Sequence, residues 1–174
     1  MNNNEIRIAL TNLGAYNEGK LRFEWLTLPF TDDELQDALK RIGIDGIEYE
    51  EYFISDYEAP FTIGEYDNID DLNEIAEILE GFNYIEMEII ETYLDEINDD
   101  IHEAINVIHN GEYMLFEGCA DMSEVAERYI EEMGLLHDVD DNLARYFNYE
   151  AFGRDMAIDG NFHEYQDGYI EILN

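Results

Sequence analysis

Between Arg41 and Arg128 this chain contains no lysine or arginine. Its fold must hold a long anionic stretch together by apolar contact, with no Lys or Arg there to offset repulsion. The apolar periodicity shows that it folds nonetheless. Leu72, Ile75, Ala76 and Leu79 recur at helical spacing, and Ile89, Ile90, Tyr93, Leu94, Ile97, Ile101, Ile105 and Ile108 continue a second stripe. Hydrophobic residues make up 46% of the 174-residue sequence and aromatics 13%, too apolar a chain for a disordered acidic tail. The formal net charge is −36, from 44 acids against 8 bases. A small soluble domain carries a magnitude of about 2–8.

The sharpest instance is ETYLDEINDDIHEA, residues 91–104. Read as one helical segment, it places like charges one turn apart at Asp95/Asp99, Glu96/Asp100 and Asp99/Glu103. Each such pair costs about 0.2–0.5 kcal/mol at low salt. Glu131 and Glu132 sit at an expected helix C-terminus, where the helix dipole disfavours anions. Local rules broken without local gain point to function. The acids expected to form a partner-binding surface are Asp32, Asp33, Asp37, Glu50 and Glu51 in the first third. Asp70, Asp71, Glu74, Glu77, Glu80, Glu88, Glu91, Asp95, Glu96, Asp99, Asp100 and Glu103 follow in the middle. Glu124, Glu127, Glu131, Glu132, Asp138, Asp140 and Asp141 complete the set in the last third.

A surface of this kind repels nucleic acid and acidic membranes and suits a cationic partner. Duplex DNA carries one charge per about 1.7 Å of axis, so a net charge of this size matches about 60 Å, or about 18 base pairs. On a continuous helix, Glu91 to Glu103 spans about 18 Å, a carboxylate per about 3.6 Å against about 3.4 Å per phosphate of one strand.

The chain divides into three parts, an α+β organisation. Residues 1–66 read as an N-terminal α+β domain. Strands are expected at 6–13, 21–28 and 49–57, a turn at 16–20, and a helix opened by the capping box Thr31/Glu34 with Leu35, Ala38, Leu39 and Ile42 inward. Residues 67–110 read as a helical middle domain, broken near 81–83. Residues 111–174 return to α+β. A strand is expected at 112–117, then a helix with Asp121 as N-cap, Glu124 in the capping position and Gly134 as C-cap. A short helix at 148–156 and a hairpin around 166–168 follow.

No constellation for catalysis or cofactor binding emerges, so a non-enzymatic protein without cofactor is expected. DVDDNLARYFNY starts like a calcium loop with Asp138, Asp140 and Asn142, then puts Leu143 where glycine belongs and Tyr149 where the bidentate Glu belongs. His102, His109, His137 and His163 are scattered and lack zinc spacing, so no metal site is expected. The lone Cys119 permits no intramolecular disulfide and fits a reducing compartment. The first residues lack a basic region followed by an apolar core, and no apolar run spans a membrane. A cytoplasmic location is expected. Met114, Phe116 and Cys119 offer apolar area in the last third and are the expected dimer contact. Arg145 and Arg154 are expected to pair with local acids.

Several blocks in order carry a family resemblance: LGAYNEGKL with Trp25 after it, EEYFISDYEAPFTIGEY, LNEIAE, DMSEVAERYIEEMGLL, NLARYFNYEAFGRDM, and a final Gly168–Tyr169 pair. Through them the chain resembles the ArdA antirestriction proteins over nearly its whole length, with residues 79–111 matching least clearly. The resemblance implies an acidic protein of plasmids and transposons that mimics B-form DNA. Such proteins occupy the DNA-binding groove in the methyltransferase core of type I restriction-modification enzymes. It also implies an elongated, curved row of three small domains and a homodimer joined through the C-terminal domains. An antirestriction motif of the family would lie near residues 129–149. The competing reading is an acidic chaperone or sequestering protein for other basic DNA-binding proteins. A carboxylate-based hydrolase is a third and lacks a constellation.

Overall fold

The computed structural model describes residues 5–173, and the outer limits expected for the first and last domains, residues 1–4 and 174, lie outside them. Among the described residues are eight helices and two three-stranded antiparallel sheets, so the chain is α+β. It forms two compact units, one ending at Met87 and the other beginning at Glu88.

In the first unit, β1 (Ile6–Asn12) is the central strand, between β2 (Phe23–Leu28) and β3 (Tyr52–Glu58). Ile6, Ile8 and Leu10 are buried, as their alternation predicts, but so are Ala9, Thr11 and Asn12. A strand paired on both edges here is also covered on both faces. Asn12 is fully buried because its side chain has two partners. Its carbonyl caps the short helix α1 (Leu13–Asn17) through the N–H of Ala15 at 2.8 Å, and its amide donates to the carbonyl of Ile42 at 3.1 Å. Part of the turn expected at 16–20 is therefore helix, set by a cap whose second partner is distant in sequence.

Helix α2 (Asp32–Ile42) starts at the capping box, with Thr31 and Glu34 exchanging hydrogen bonds as expected. Leu35, Ala38, Leu39 and Ile42 are its buried stripe. The strand expected from residue 49 begins only at Tyr52. Asp45 accepts the N–H groups of Ile47, Glu48 and Tyr49 and folds that segment into a turn. Helix α3 (Ile69–Glu80) buries Ile69, Leu72, Ile75, Ala76 and Leu79. Its Asn73 exchanges two hydrogen bonds with the backbone of Phe30, which fixes the loop ahead of α2.

Helix α4 (Tyr84–Glu96) opens after the expected break, and the boundary between the units falls within it, after Met87. It stops at Glu96, and α5 (Ile101–Asn110) starts anew with Asp100 as N-cap. The acidic segment expected to be one helix is thus two. None of the three like-charged pairs Asp95/Asp99, Glu96/Asp100 and Asp99/Glu103 lies within a single helix. The apolar spacing of Leu94, Ile97 and Ile101 continues through the break and conceals it. The cap explains it: Asp100 takes the N–H groups of His102 and Glu103, which a continuous helix would give to its own carbonyls. The phosphate-like step computed for a continuous helix falls with it.

The second unit is built on β4 (Tyr113–Glu117), β5 (Phe162–Tyr165) and β6 (Gly168–Ile172), in the order β4-β6-β5. The closing hairpin is as expected. Phe116, Cys119 and Val125 form a buried cluster with Met114, Met122, Tyr129, Met156, Phe162 and Tyr169 packed around it. One sheet face is thereby joined to α6 (Met122–Met133) and α8 (Tyr149–Asp159). Those helices approach so closely at Gly153 that a side chain there would clash with the backbone carbonyl of Met122. Successive strand residues face opposite ways, and Ile170 and Ile172, on the other face, are also buried. The one-turn α7 (Asp141–Ala144) lies between α6 and α8.

Candidate functional site: an acidic surface

Every acid expected at the surface is exposed except Glu88 and Glu91, which are half-buried. Asp32, Asp33 and Asp37 lie on α2, Glu50 and Glu51 just ahead of β3, and Asp70, Asp71, Glu74, Glu77 and Glu80 on α3. Glu88, Glu91, Asp95 and Glu96 lie on α4, Asp99 and Asp100 in the break, and Glu103 on α5. Glu124, Glu127, Glu131 and Glu132 lie on α6, Asp138 and Asp140 in the turn after it, and Asp141 on α7.

The repulsion that the sequence suggested is present, at different pairs. On α3, Asp70, Glu74, Glu77 and Glu80 follow one another at spacings of three or four. Glu88, Glu91 and Asp95 do so on α4, and Glu124, Glu127 and Glu131 on α6. Each set is a ladder along one face, at about 4.5–6 Å of helix rise per carboxylate. One ladder is sparser than the phosphates of one DNA strand, at about 3.4 Å each. The density of DNA would take several helices together.

These helices also end against their own dipoles. None of α3, α4 and α6 has a basic residue in its last turn, where Glu80, Asp95, Glu96, Glu131 and Glu132 sit. Each misplaced charge costs about 0.3–1 kcal/mol at low ionic strength. By contrast, α2 has three acids in its first turn and Lys40 and Arg41 in its last, as the dipole prefers.

The few bases do little to neutralise the ladders. Arg7 pairs with Glu58 at 3.0 Å, Lys20 with Glu18 at 2.7 Å, Arg41 with Glu24 at 3.1 Å and Arg154 with Asp155 at 3.8 Å. None of those acids belongs to the expected surface. Lys40 meets one that does, Asp37, at 3.2 Å. Arg128, in the middle of α6, turns to the carbonyl of Glu117 at 2.7 Å. Arg154 thus has its local acid, while Arg145 instead donates to the side-chain amide of Asn142.

Some of the acids are fixed in place. Glu103 accepts from the hydroxyl of Tyr93 and the amide of Asn98, and Glu124 accepts from the N–H of Ala120, one residue ahead of the cap Asp121. Asp100 and Asp140 are helix caps. Two hollows gather acids from separate elements. In the first unit, Asp32 of α2 and Asp70 of α3 border a hollow with Tyr52 and Asp67. In the second unit, the ladder of α4 faces β5 across a hollow that adds Glu164. Sequence reading missed Glu164, since strand alternation does not reveal which helix a strand will meet. Glu91 is pushed above the usual glutamate range, first by burial and then by the charges of Glu88 and Asp95.

Phe116 and Cys119, expected at a dimer contact, are buried within one chain's own core, with Met114 half-buried beside them. Burial also pushes the Cys119 thiol up, against nucleophilic use. Among the described residues, no group of three or more His, Cys, Asp or Glu is placed to hold a metal ion, and no helix is long and apolar enough to cross a membrane.

The family model for antirestriction protein (ArdA) matches residues 8–171. The chain belongs to that family. No curated protein matches it.

Proposed function

We propose that this antirestriction protein acts without catalysis or cofactor. Its acidic surface mimics B-form DNA and occupies the DNA-binding groove in the methyltransferase core of a type I restriction-modification enzyme. The observation that carries the reading is the three base-poor carboxylate ladders on α3, α4 and α6, each mounted on a buried apolar stripe or a packed helix. Mimicry needs charge that is already ordered. A flexible polyanion would lose conformational entropy on binding, whereas folded helices have met that cost in advance. Lysines and arginines shaped for phosphates would pair with these acids and release counterions from both surfaces. Many weak contacts share the binding, so no single acid dominates.

The same proposal includes a row of three small domains with boundaries near residues 66 and 110, self-association through the C-terminal third, and action in the cytoplasm. The experiment is a titration of the protein against one type I enzyme, with cleavage and methylation assayed together. Loss of both activities near stoichiometric amounts supports occupation of the shared DNA groove. Loss of neither, with equal binding to unrelated basic proteins, would identify a general sequestering protein instead.

A further inference from the structure

The two edges of the first sheet differ. Strand β3 is guarded in the ways that exposed edges usually are. It carries Asp56 and Glu58, its register shifts opposite Ala9 and Leu10, and its Ile54 N–H is taken by the carbonyl of Glu65. Strand β2 has none of these devices. Its sequence, FEWLTL, holds one charge, Glu24, and that is paired with Arg41 at 3.1 Å. Among the described residues, no segment other than β1 exchanges backbone hydrogen bonds with it. The direction of its free groups follows from the register. Asn12 donates to the carbonyl of Arg22 at 3.0 Å, so Arg22 is a hydrogen-bonded position of the ladder. By alternation Glu24, Leu26 and Leu28 also bond to β1, and the N–H and C=O groups of Phe23, Trp25 and Thr27 point away from it.

The surroundings select the occupant. The side chains of Phe23, Trp25 and Thr27 stand on one sheet face, and those of the buried Leu26 and Leu28 on the other. Phe23 is 46% exposed, and Leu21, 69% exposed, continues its row. A strand added here would run beside that apolar row on one face and meet α2 on the other. Arg41 of α2 reaches Glu24 of β2, and the exposed Glu34 and Asp37 lie on the same line of α2, at spacings of three and four. At the end of the strand, Thr27 and Leu28 border a hollow of about 590 Å³, lined also by Leu79, Phe82 and the exposed Glu5 and Glu80. An apolar stem with a cationic tip suits such a place. An acidic segment is repelled by these carboxylates and by the net charge of −36.

We propose that β2 accepts an extended segment of a partner protein as a fourth, antiparallel strand, and that this segment alternates apolar with basic residues. Its apolar side chains lie beside Phe23, Trp25 and Thr27, and its basic ones turn toward Glu34 and Asp37. Main-chain bonds to the three outward positions supply affinity, and the alternation supplies specificity. The contact lies wholly within the first unit and does not depend on the DNA-mimic reading, so either can fail without the other.

The test is calorimetric titration of capped synthetic peptides into the full chain at physiological and at high salt, with amide exchange followed by NMR. The probes are (Val-Lys)4, (Val-Glu)4, and (Val-Lys)4 N-methylated either at each valine or at each lysine. In an antiparallel pair the valines face Phe23, Trp25 and Thr27 and give them their N–H groups. One site for (Val-Lys)4 that persists at high salt is expected, with slowed exchange at the amides of those three residues. Methylation of the valines should weaken it about tenfold or more, and methylation of the lysines should leave it unchanged. Thr27→Pro removes one outward N–H while sparing the bonds to β1 and should weaken binding about fivefold, whereas Thr27→Val should not. Circular dichroism establishes that each variant is folded, and should Thr27→Pro disturb the sheet, the methylated peptides decide. Equal binding of (Val-Glu)4, equal binding of the two methylated peptides, loss of binding at high salt, unchanged exchange at the three amides, or full binding by a folded Thr27→Pro chain would overturn the proposal.

Discussion

The hydroxyl of Tyr93 on α4 donates to the carboxylate of Glu103 on α5 at 3.1 Å. It bridges the break at 97–100 and holds one surface acid in a fixed place. Tyr93 is itself buried in its ring. Tyr93→Phe keeps the ring and removes the bridge, so stability should fall by about 1–2 kcal/mol in urea unfolding. Asp100→Ala removes the cap that starts α5, at a cost of about 1 kcal/mol. Were α4 and α5 one continuous helix, Asp100→Ala would instead be neutral or stabilising.

Gly153 gives a packing prediction. A methyl group there would press on the Met122 carbonyl, and that atom belongs to a helix backbone that cannot turn aside. Gly153→Ala raises helix propensity yet should destabilise by about 1–3 kcal/mol through forced separation of α6 and α8. Thermal unfolding would measure it. A raised melting temperature would mean that the two helices do not approach this closely.

Two carboxylates should respond to pH in opposite directions. Three backbone N–H groups hold Asp45 below its ordinary value of 3.8. Its contribution to stability is present above pH 3.8 and is lost as pH falls through the folded value. Burial and like charges hold Glu91 above its ordinary 4.5, so stability there is full below pH 4.5 and declines as pH rises through the folded value. Asp45→Asn should therefore cost stability at neutral pH and converge with the parent in acid. Glu91→Gln carries the uncharged form permanently, so it should gain stability at neutral pH and converge below pH 4.5. Denaturant midpoints across pH would show both signs.

These contrasts explain how far the sequence could be read. The capping box at Thr31 and Glu34, the caps Asp121 and Gly134, and the break near Gly81 were legible because each is decided locally, by a side chain bonding its neighbouring backbone or by a glycine ending the helix. The short helix α1 was not legible, because Asn12 is anchored by the distant carbonyl of Ile42. The division of the acidic segment was hidden by Leu94, Ile97 and Ile101, which keep helical spacing across a break that Asp100 decides. In the sequence Phe116 offers apolar area for a partner. Only the packing of α6 and α8 shows it to be the centre of a core. Acid exposure was legible for all the expected acids but Glu88 and Glu91, since charge sorts outward. Which acids share a hollow depended on tertiary pairing.

Salt should separate this chain from an ordinary acidic domain. Successive acids within each ladder lie within a Debye length of one another, about 10 Å at 0.1 M, so added salt screens the repulsion. The melting temperature should rise steadily with sodium chloride. A flat or falling response would show that the ladders carry little repulsion.

The central claim is that distributed carboxylates stand in for phosphates. The direct measurement is displacement of labelled DNA from a type I restriction-modification enzyme by the parent chain and by an isosteric series. In that series Asp70, Glu74, Glu77, Glu124, Glu127 and Glu131 are changed to Asn or Gln one at a time and then all together. The account predicts near-stoichiometric displacement by the parent and little loss from any single change, about 0.5 kcal/mol each. The sixfold variant should lose about 3 kcal/mol, roughly a hundredfold. Failure of the parent to displace DNA, undiminished displacement by the sixfold variant, or complete loss from one change would contradict it.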